Sequence, residues 1–541
     1  MQIQKWKIDN YHGILNMNLT FPINESSGAV ILLGENGSGK STTLEMLLRF
    51  FAAFDSPTFV SEFKSDFEIV YRIGTYDVRI QQKDLLWTLS HREIGESESV
   101  IDFNGSFESL RRWSQKHSLN LFPQRIIAFY SGYADHLAPI YKRVNTNYKI
   151  ACKNTLYQYF KMAYSSRTQD IDLPNFPHKK YIYCDDALMN LYLISILAGK
   201  ESYEKSKIKE FCSIDNIMAI EIILTPKKIK DFLNKYLFDS DQNQSLKNNF
   251  WRVLEFIDSE LCALMRASEI SFNENSARFI VTDIGSIPDD TIRAFNFFEK
   301  LVTIFDAKIS VRITGQYGEK NTKALSEGQR QLIKVIGMLG AAKESDCFVL
   351  MDEPDSHMNP RWKYEIKEIV DKILDGATNT QAIIATHDPL VVNGLEKEYV
   401  RIFVRDPART ADAGSQSIKV LIPTEDTEGM GIDGLLQSEY YGLRSTLDTK
   451  TRSKLEEKRD LLVKRKEGTI TQEEREKLYA LTDEIEGLAF TRNIPTDDLY
   501  DEFVVAMHKF QQENPISELT SEQIRERNRK AHEIIKELME K

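Results

Sequence analysis

The sequence predicts an α/β fold: a two-lobed head interrupted by a large helical insertion and followed by a helical tail. Three observations carry this. Ala29-Val30-Ile31-Leu32-Leu33 is an apolar run that leads into a glycine-rich turn and then a helical pattern over Thr42–Phe51. Cys347–Met351 is a second apolar run, and it ends in two carboxylates, Asp352 and Glu353. Between them, from about 145 to 305, glycines are few and lysines recur at helical spacing (Lys205, Lys207, Lys209; Lys227, Lys228, Lys230). Unbroken apolar runs are expected of strands covered on both faces, as in a parallel sheet flanked by helices.

The chain has 541 residues, enough for three or four domains at ~150 residues each. Hydrophobic residues make up 42% and charged residues 28%, which excludes wholesale disorder and collagen-like architecture. Lys+Arg 70 against Asp+Glu 81 gives a net charge of −11, against a histone-like coat for DNA. Five scattered cysteines without a C-x-x-C pair fit a reducing compartment and no zinc site. The first residues lack a signal-peptide core, and Leu188–Ala198, the nearest approach to a membrane span, is too short and carries Asn190. A cytoplasmic protein without a membrane segment is expected.

In chain order, Ile3–Ile8 and Ile14–Leu19 read as strands around the turn Asn10-Tyr11-His12-Gly13. Alternation returns between about 70 and 103, and Ile126–Tyr130 reads as a buried strand stopped by Ser131-Gly132. The stretch 141–308 is expected to be mostly helical, with a small strand element near Arg278–Thr282 and lysines on solvated faces. Strands recur at Cys347–Met351, Ala382–Ala385, Val400–Val404 and Ile418–Ile422. In the tail, Lys450–Lys466 carries eight basic and three acidic residues, and Glu473–Glu486 six acidic and two basic. Gly468 is placed to end the first helix and Thr471-x-x-Glu474 to open the second as a capping box. An antiparallel hairpin of opposite charge is preferred here over a basic nucleic-acid arm.

Gly34-Glu35-Asn36-Gly37-Ser38-Gly39-Lys40-Ser41 matches G-x-x-x-x-G-K-[ST], after a strand and before a helix as that motif requires. Glycines let successive backbone N–H groups close on phosphates at a helix N-terminus. Asn36 to Thr42 are therefore the candidate nucleotide-binding residues, including Gly37, Ser38 and Gly39. Lys40 would reach the β- and γ-phosphates of ATP, and Ser41 would ligate Mg²⁺. Asp352 fits a carboxylate that holds Mg²⁺, and Glu353 a base that orients the attacking water.

Leu325-Ser326-Glu327-Gly328-Gln329 resembles the LSGGQ signature of ATP-binding-cassette (ABC) ATPases, with Glu327 where glycine is usual. The resemblance implies that Ser326 and Gly328 face a nucleotide held by another subunit, so that heads pair as a dimer or higher oligomer. It also places Asp355 in a D-loop and makes His387, in Thr386-His387-Asp388, a switch histidine that senses the γ-phosphate. Asn10-Tyr11-His12-Gly13-Ile14 is similar to the "NF-R-G" element of the recombination and chromosome-maintenance branch, with His12 where arginine is common. About 285 residues separate Lys40 from Ser326, far more than in transporter ATPases and far fewer than long coiled-coil arms need.

Ala128-Phe129-Tyr130-Ser131-Gly132-Tyr133, Asp352–Pro360 and Ile432–Leu443 resemble the compact ATPases of bacterial antiphage systems. The likeness is to the Septu-type (PtuA-like) ATPases, including forms encoded beside retron reverse transcriptases. It implies an ATPase that regulates a separate HNH-type endonuclease, and in retron forms a reverse transcriptase with its RNA–DNA product. Glu428–Asp433 superficially suggests the first acid cluster of a Toprim nuclease and is read as a loop, so no nuclease is expected in this chain. A RecF-like ATP-dependent DNA-repair ATPase is the alternative. The expected domains are an ABC-type P-loop N-lobe (1–140), the insertion (141–308), a C-lobe (309–423) and a helical tail (424–541). Asp433–Leu443 and Ser521–Lys541 are candidate partner docks.

Overall fold

A computed structural model of the chain describes all residues except 13, 23–27, 97, 117–119, 133–136, 166–175, 199–201, 226–243, 273–275, 288–290, 317, 344–345, 378, 407–415, 444, 487–502, 504–505, 508–509, 511–520 and 540–541. Lys227, Lys228, Lys230, Gly13 and Tyr133 fall outside the described residues. The chain divides into two units, residues 1–392 with 398–422, and residues 393–397 with 423–541.

The first unit opens with β1 (Gln2–Tyr11), β2 (Ile14–Thr20) and β3 (Gly28–Gly34), then the helix Lys40–Asp55. An antiparallel run follows: β4 (Phe67–Ile73), β5 (Tyr76–Lys83), β6 (Leu86–Glu93) and β7 (Val100–Gly105). Next come β8 (Arg125–Tyr130), β9 (Tyr181–Tyr183), β10 (Ile214–Leu224), β11 (Glu269–Phe272), β12 (Ala277–Val281), β13 (Lys308–Gly315) and β14 (Gly318–Asn321). The unit closes with β15 (Cys347–Asp352), β16 (Gln381–Thr386), β17 (Val400–Asp406) and β18 (Gln416–Leu421).

Thirteen of these strands form one sheet, in the order β7-β6-β5-β4-β1-β2-β18-β17-β3-β16-β15-β8-β9. Its run from β17 to β9 is parallel, and its β7-to-β2 run antiparallel. The parallel strands are covered on both faces: Ile31, Leu32, Leu33, Val349, Met351, Ile383 and Ile384 are all fully buried. That is why they read as unbroken apolar runs. In β4 burial alternates instead, with Phe67, Ile69, Tyr71 and Ile73 inside. The helix Lys40–Asp55 seats Phe50 against Trp6, edge to face with centroids 5.5 Å apart.

The described residues of 141–308 are mostly helical, as expected, but they carry more strand than the small element near Arg278–Thr282. They supply β9 to the main sheet and β10, β11 and β12 to a second, five-stranded antiparallel sheet ordered β11-β12-β10-β13-β14. The strand near 278 is thus one of five, and the sheet runs on past position 308. In β10 the register shifts twice against β13, between Ile214 and Asn216 and between Ile217 and Ala219. Each shift breaks the period of two by which a strand is recognised. Lys207 and Lys209 lie on the helix Tyr203–Cys212, ion-paired with Glu365 and Asp215. Leu188–Ala198 belongs to the buried helix Asp186–Ala198, and no helix among the described residues is long and apolar enough to cross a membrane.

In the second unit the helices Thr449–Lys466 and Gln472–Glu486 pair antiparallel around Leu461, Leu462, Ile470, Leu478 and Leu481. Lys454–Glu484, Lys464–Glu474 and Lys477–Glu457 ion pairs cross between them. Thr471 and Glu474 bond each other's backbone N–H groups, and Gly468 takes φ +73°. Glu428–Asp433 is not wholly a loop, because a short helix, Gly431–Gln437, begins within it. Both candidate docks are engaged inside the unit: Tyr440 Oη donates to Glu425 O, and Arg527 Nη2 to Gln437 O.

Where the helix Glu327–Ala341 crosses Asp186–Ala198, Gly337 admits Tyr192: a Cβ on it would lie 2.2 Å from the Tyr192 Cβ. Gly337→Val should therefore destabilise the fold by about 1–3 kcal/mol through overpacking. At Gly340, three residues on, the nearest atom to an added Cβ is 3.9 Å away. Gly340→Ala should leave the thermal midpoint unchanged or raised, by its helix propensity. Paired thermal melts of the two variants check this.

Candidate nucleotide site

The parallel register builds the site. Leu33 of β3 is level with Thr386 of β16, Ala385 with Asp352 of β15, and Asp352 with Tyr130 of β8. The segments leaving all four strands therefore emerge along one edge, where ligands bind in open α/β sheets. They bring Asn36, Gly37, Gly39, Lys40, Ser41, Thr42, Tyr130, Ser131, Gly132, Asp352, Glu353, Ser356 and His387 around one cleft of about 570 Å³, with His12, Ile14 and Ile418 completing its lining.

The glycine-rich loop enters the helix Lys40–Asp55 through Gly37 (φ +76°) and Gly39 (φ +94°), conformations that favour glycine. A Cβ on Gly39 would also lie 2.3 Å from Ile418 Cδ1. Lys40 Nζ folds back onto the loop, donating to Gly34 O at 2.6 Å and Glu35 O at 3.0 Å. Burial lowers its pKa, against the opposing fields of Glu353, Asp352 and Glu35.

Asp352 ends β15 almost fully buried, and burial pushes its carboxyl up to about 6 despite a hydrogen bond from Ser41. Its Oδ1 is buried and unpartnered. A hydroxyl and an under-used carboxylate oxygen side by side fit a hard divalent cation. Among the described residues no three His, Cys, Asp or Glu side chains gather as a metal site, so phosphate and water oxygens would complete such a shell. Asp355 is likewise buried, raised to about 6 by burial, with Oδ1 unpartnered. Glu353 sits at φ +50°, a left-handed conformation uncommon outside glycine. Its N–H donates to Ala385 O at 2.8 Å, and its carboxylate meets His387 Nδ1 at 2.7–2.8 Å.

Of the sequence-derived candidates, Asn36, Gly37, Gly39, Lys40, Ser41, Thr42, Asp352, Glu353 and His387 line the cleft. Ser38 lies buried beneath the loop, its Oγ unpartnered. Ser326 and Gly328 are not among the lining residues. Ser326 N-caps the helix Glu327–Ala341 in a capping box with Gln329, and Gly328 packs so that a Cβ would lie 2.6 Å from His357 O. Tyr130, Ser131, Gly132 and Ser356 line the cleft without having been singled out for it. Ser131 N–H reaches Asp352 O at 3.2 Å and its Oγ donates to Ser356 Oγ at 3.2 Å. The signal was present in the polar stop of the Ile126–Tyr130 strand, but only strand neighbourhood gives that stop a meaning.

Because burial favours the neutral acid, folding of the nucleotide-free protein takes up protons at Asp352 between about pH 4 and pH 6. Stability from this group is fully present below its unfolded value of 3.8 and is lost as pH rises through about 6. Two pKa units correspond to at most on the order of 3 kcal/mol. Asp352→Asn should flatten that decline in nucleotide-free thermal melts between pH 4 and pH 7; an unaltered profile would count against the buried, raised carboxyl.

Residues 220–393, which hold Ser326, Asp352, Glu353 and His387, match a family described as AAA domain, putative AbiEii toxin, Type IV TA system. The Septu protein PtuA of Bacillus mycoides (strain KBAB4) is 32% identical over 104 residues, 19% of this chain but only 13% of PtuA. The Retron Vc95 probable ATPase of Vibrio cholerae serotype O1 biovar El Tor is 22% identical over 390 residues, 69% of this chain and 68% of that protein. Among solved structures, the Smc head domain of Pyrococcus furiosus bound to the C-terminal domain of ScpA is 12% identical, with TM-score 0.33 over 78% of this chain and 96% of that one. The SMC head domain of Thermotoga maritima is 11% identical, with TM-score 0.30 over 78% and 99%. These superpositions are loose, and the fold stands on its own strand order and loops. The fold is thus an α/β head whose glycine-rich loop joins a parallel strand to a helix, and in sequence the chain is similar to the Septu protein PtuA and the Retron Vc95 probable ATPase.

Proposed function

We propose that the chain is the ATP-binding and ATP-hydrolysing subunit of an antiphage defence complex of the Septu or retron type, holding a separate HNH-type nuclease in check through ATP-dependent pairing of heads. The observation that carries this is the convergence of Lys40, Ser41, Asp352, Glu353 and His387 on one cleft. Lys40 would exchange the carbonyls of Gly34 and Glu35 for the β- and γ-phosphates. Ser41 and Asp352 would hold Mg²⁺, which neutralises phosphate charge. Glu353 orients the attacking water and accepts its proton. His387, which rests on Glu353, senses the γ-phosphate.

Ser326 and Gly328, on a helix N-terminus away from this cleft, act on a nucleotide held by a second copy. The lobes 1–140 and 309–423 then close on ATP, and the insertion 141–308 and tail 424–541 relay that state to the nuclease. In a retron-type assembly a reverse transcriptase with its RNA–DNA product is a further partner. The names of the related Septu and retron ATPases support the pathway.

Glu353→Gln should lower ATP turnover at least about 100-fold, the scale of a lost general base, while retaining ATP and accumulating a paired head in light scattering. Unchanged turnover overturns the assignment. A gentle pull-down from the native host, with mass spectrometry and extraction of nucleic acid, should recover a small nuclease. Recovery with recombination proteins instead would favour a RecF-like repair ATPase.

A further inference from the structure

Arg405, near the C-terminal end of β17, is exposed, and Nη2 of its guanidinium donates to Asn36 O in the glycine-rich loop at 3.0 Å. The approach is close because Gly37 has no side chain: a Cβ there would lie 2.4 Å from Arg405 Nη2. β17 runs parallel to β3, with Phe403 level with Gly34, so the strand delivers Arg405 beside the loop. On its other side Arg405 is level with Ile418, which lines the cleft.

Two cations thus rest on three successive carbonyls of one loop: Lys40 on Gly34 and Glu35, and Arg405 on Asn36. The same loop offers its backbone to phosphate. A neutral carbonyl is a weak partner for a cation, and a polyphosphate oxygen is a far stronger one. The remaining guanidinium N–H groups of Arg405 have no partner among the described residues. Lys40 has the same kind of resting place and is expected to leave it for phosphate, and Arg405 is poised in the same way with a planar fork of donors.

From this geometry we infer that Arg405 is a phosphate-contacting residue of the nucleotide site, supplied by β17 opposite Gly37. The inference rests on the nucleotide-binding reading above and extends it to a residue outside the glycine-rich motif. Asn36 O is the resting partner of the guanidinium and the nucleotide's polyphosphate its working partner. Charge, rather than bracing of the loop, is then what Arg405 contributes.

Arg405→Lys keeps the charge and Arg405→Gln removes it, while both lose the guanidinium that reaches Asn36 O, so comparing the two separates charge from bracing of the loop. The experiment measures MgATP affinity of the full chain and its Arg405→Gln and Arg405→Lys variants by titration calorimetry across a series of NaCl concentrations. Nucleotide-free thermal melts serve as the check on folding. The expected result is about tenfold weaker MgATP binding in Arg405→Gln, an intermediate loss in Arg405→Lys, and a shallower salt dependence in Arg405→Gln. An Arg405→Gln variant that melts like the parent and binds MgATP with the parent's affinity and salt dependence overturns the inference. A parent chain that binds no MgATP overturns the nucleotide reading beneath it.

Discussion

The in-register parallel pairing of β3, β16, β15 and β8 is the constraint on which the site depends. Neighbouring strands lie ~4.8 Å apart, so four strand ends span about 14 Å. Within that span a phosphate-type loop, a carboxylate pair, a histidine and a serine turn emerge from segments up to 350 residues apart in sequence. No one of them can shift without moving an apolar strand buried on both faces. The precision of the site is therefore inherited from the hydrophobic core, which is rigid because it is close-packed.

That arrangement also gathers charge that the nucleotide-free protein accommodates poorly. Asp352 and Asp355 are buried with an unpartnered oxygen each, and burial raises both carboxyls. Lys40 is turned onto backbone carbonyls, its ammonium disfavoured by the same burial. A polyphosphate with its cation would give all three stronger partners. Binding would then draw on interactions that the resting cleft leaves unmade.

Legibility in the sequence followed the range of the interactions. The tail hairpin was readable because Gly468, Thr471 and Glu474 act within a turn of one another, and the opposite charge runs needed only antiparallel pairing. The loop from Gly34 to Ser41 was readable for the same reason. The five-stranded sheet was not, because bulges at Ile214/Asn216 and Ile217/Ala219 erase the alternation of β10, and the helix just before it carries Lys205, Lys207 and Lys209. Ser326 was found as a motif residue, yet nothing in the motif told that its hydroxyl is engaged in a capping box with Gln329.

The sequence by itself determined the chemistry on hand: a phosphate-binding loop, an acidic strand end, a histidine after a strand, and the starts and stops of local elements. These are encoded by residues a few positions apart, through backbone conformation, capping and apolar periodicity. Tertiary structure alone decided that thirteen strands share one sheet, that Gly337 must yield to Tyr192, that Tyr130 to Gly132 face Asp352, and that Arg405 rests on Asn36. Each joins segments from about 145 to about 370 residues apart, and such contacts leave no periodic trace. They arise only when the apolar strands find one order in which all of them are covered.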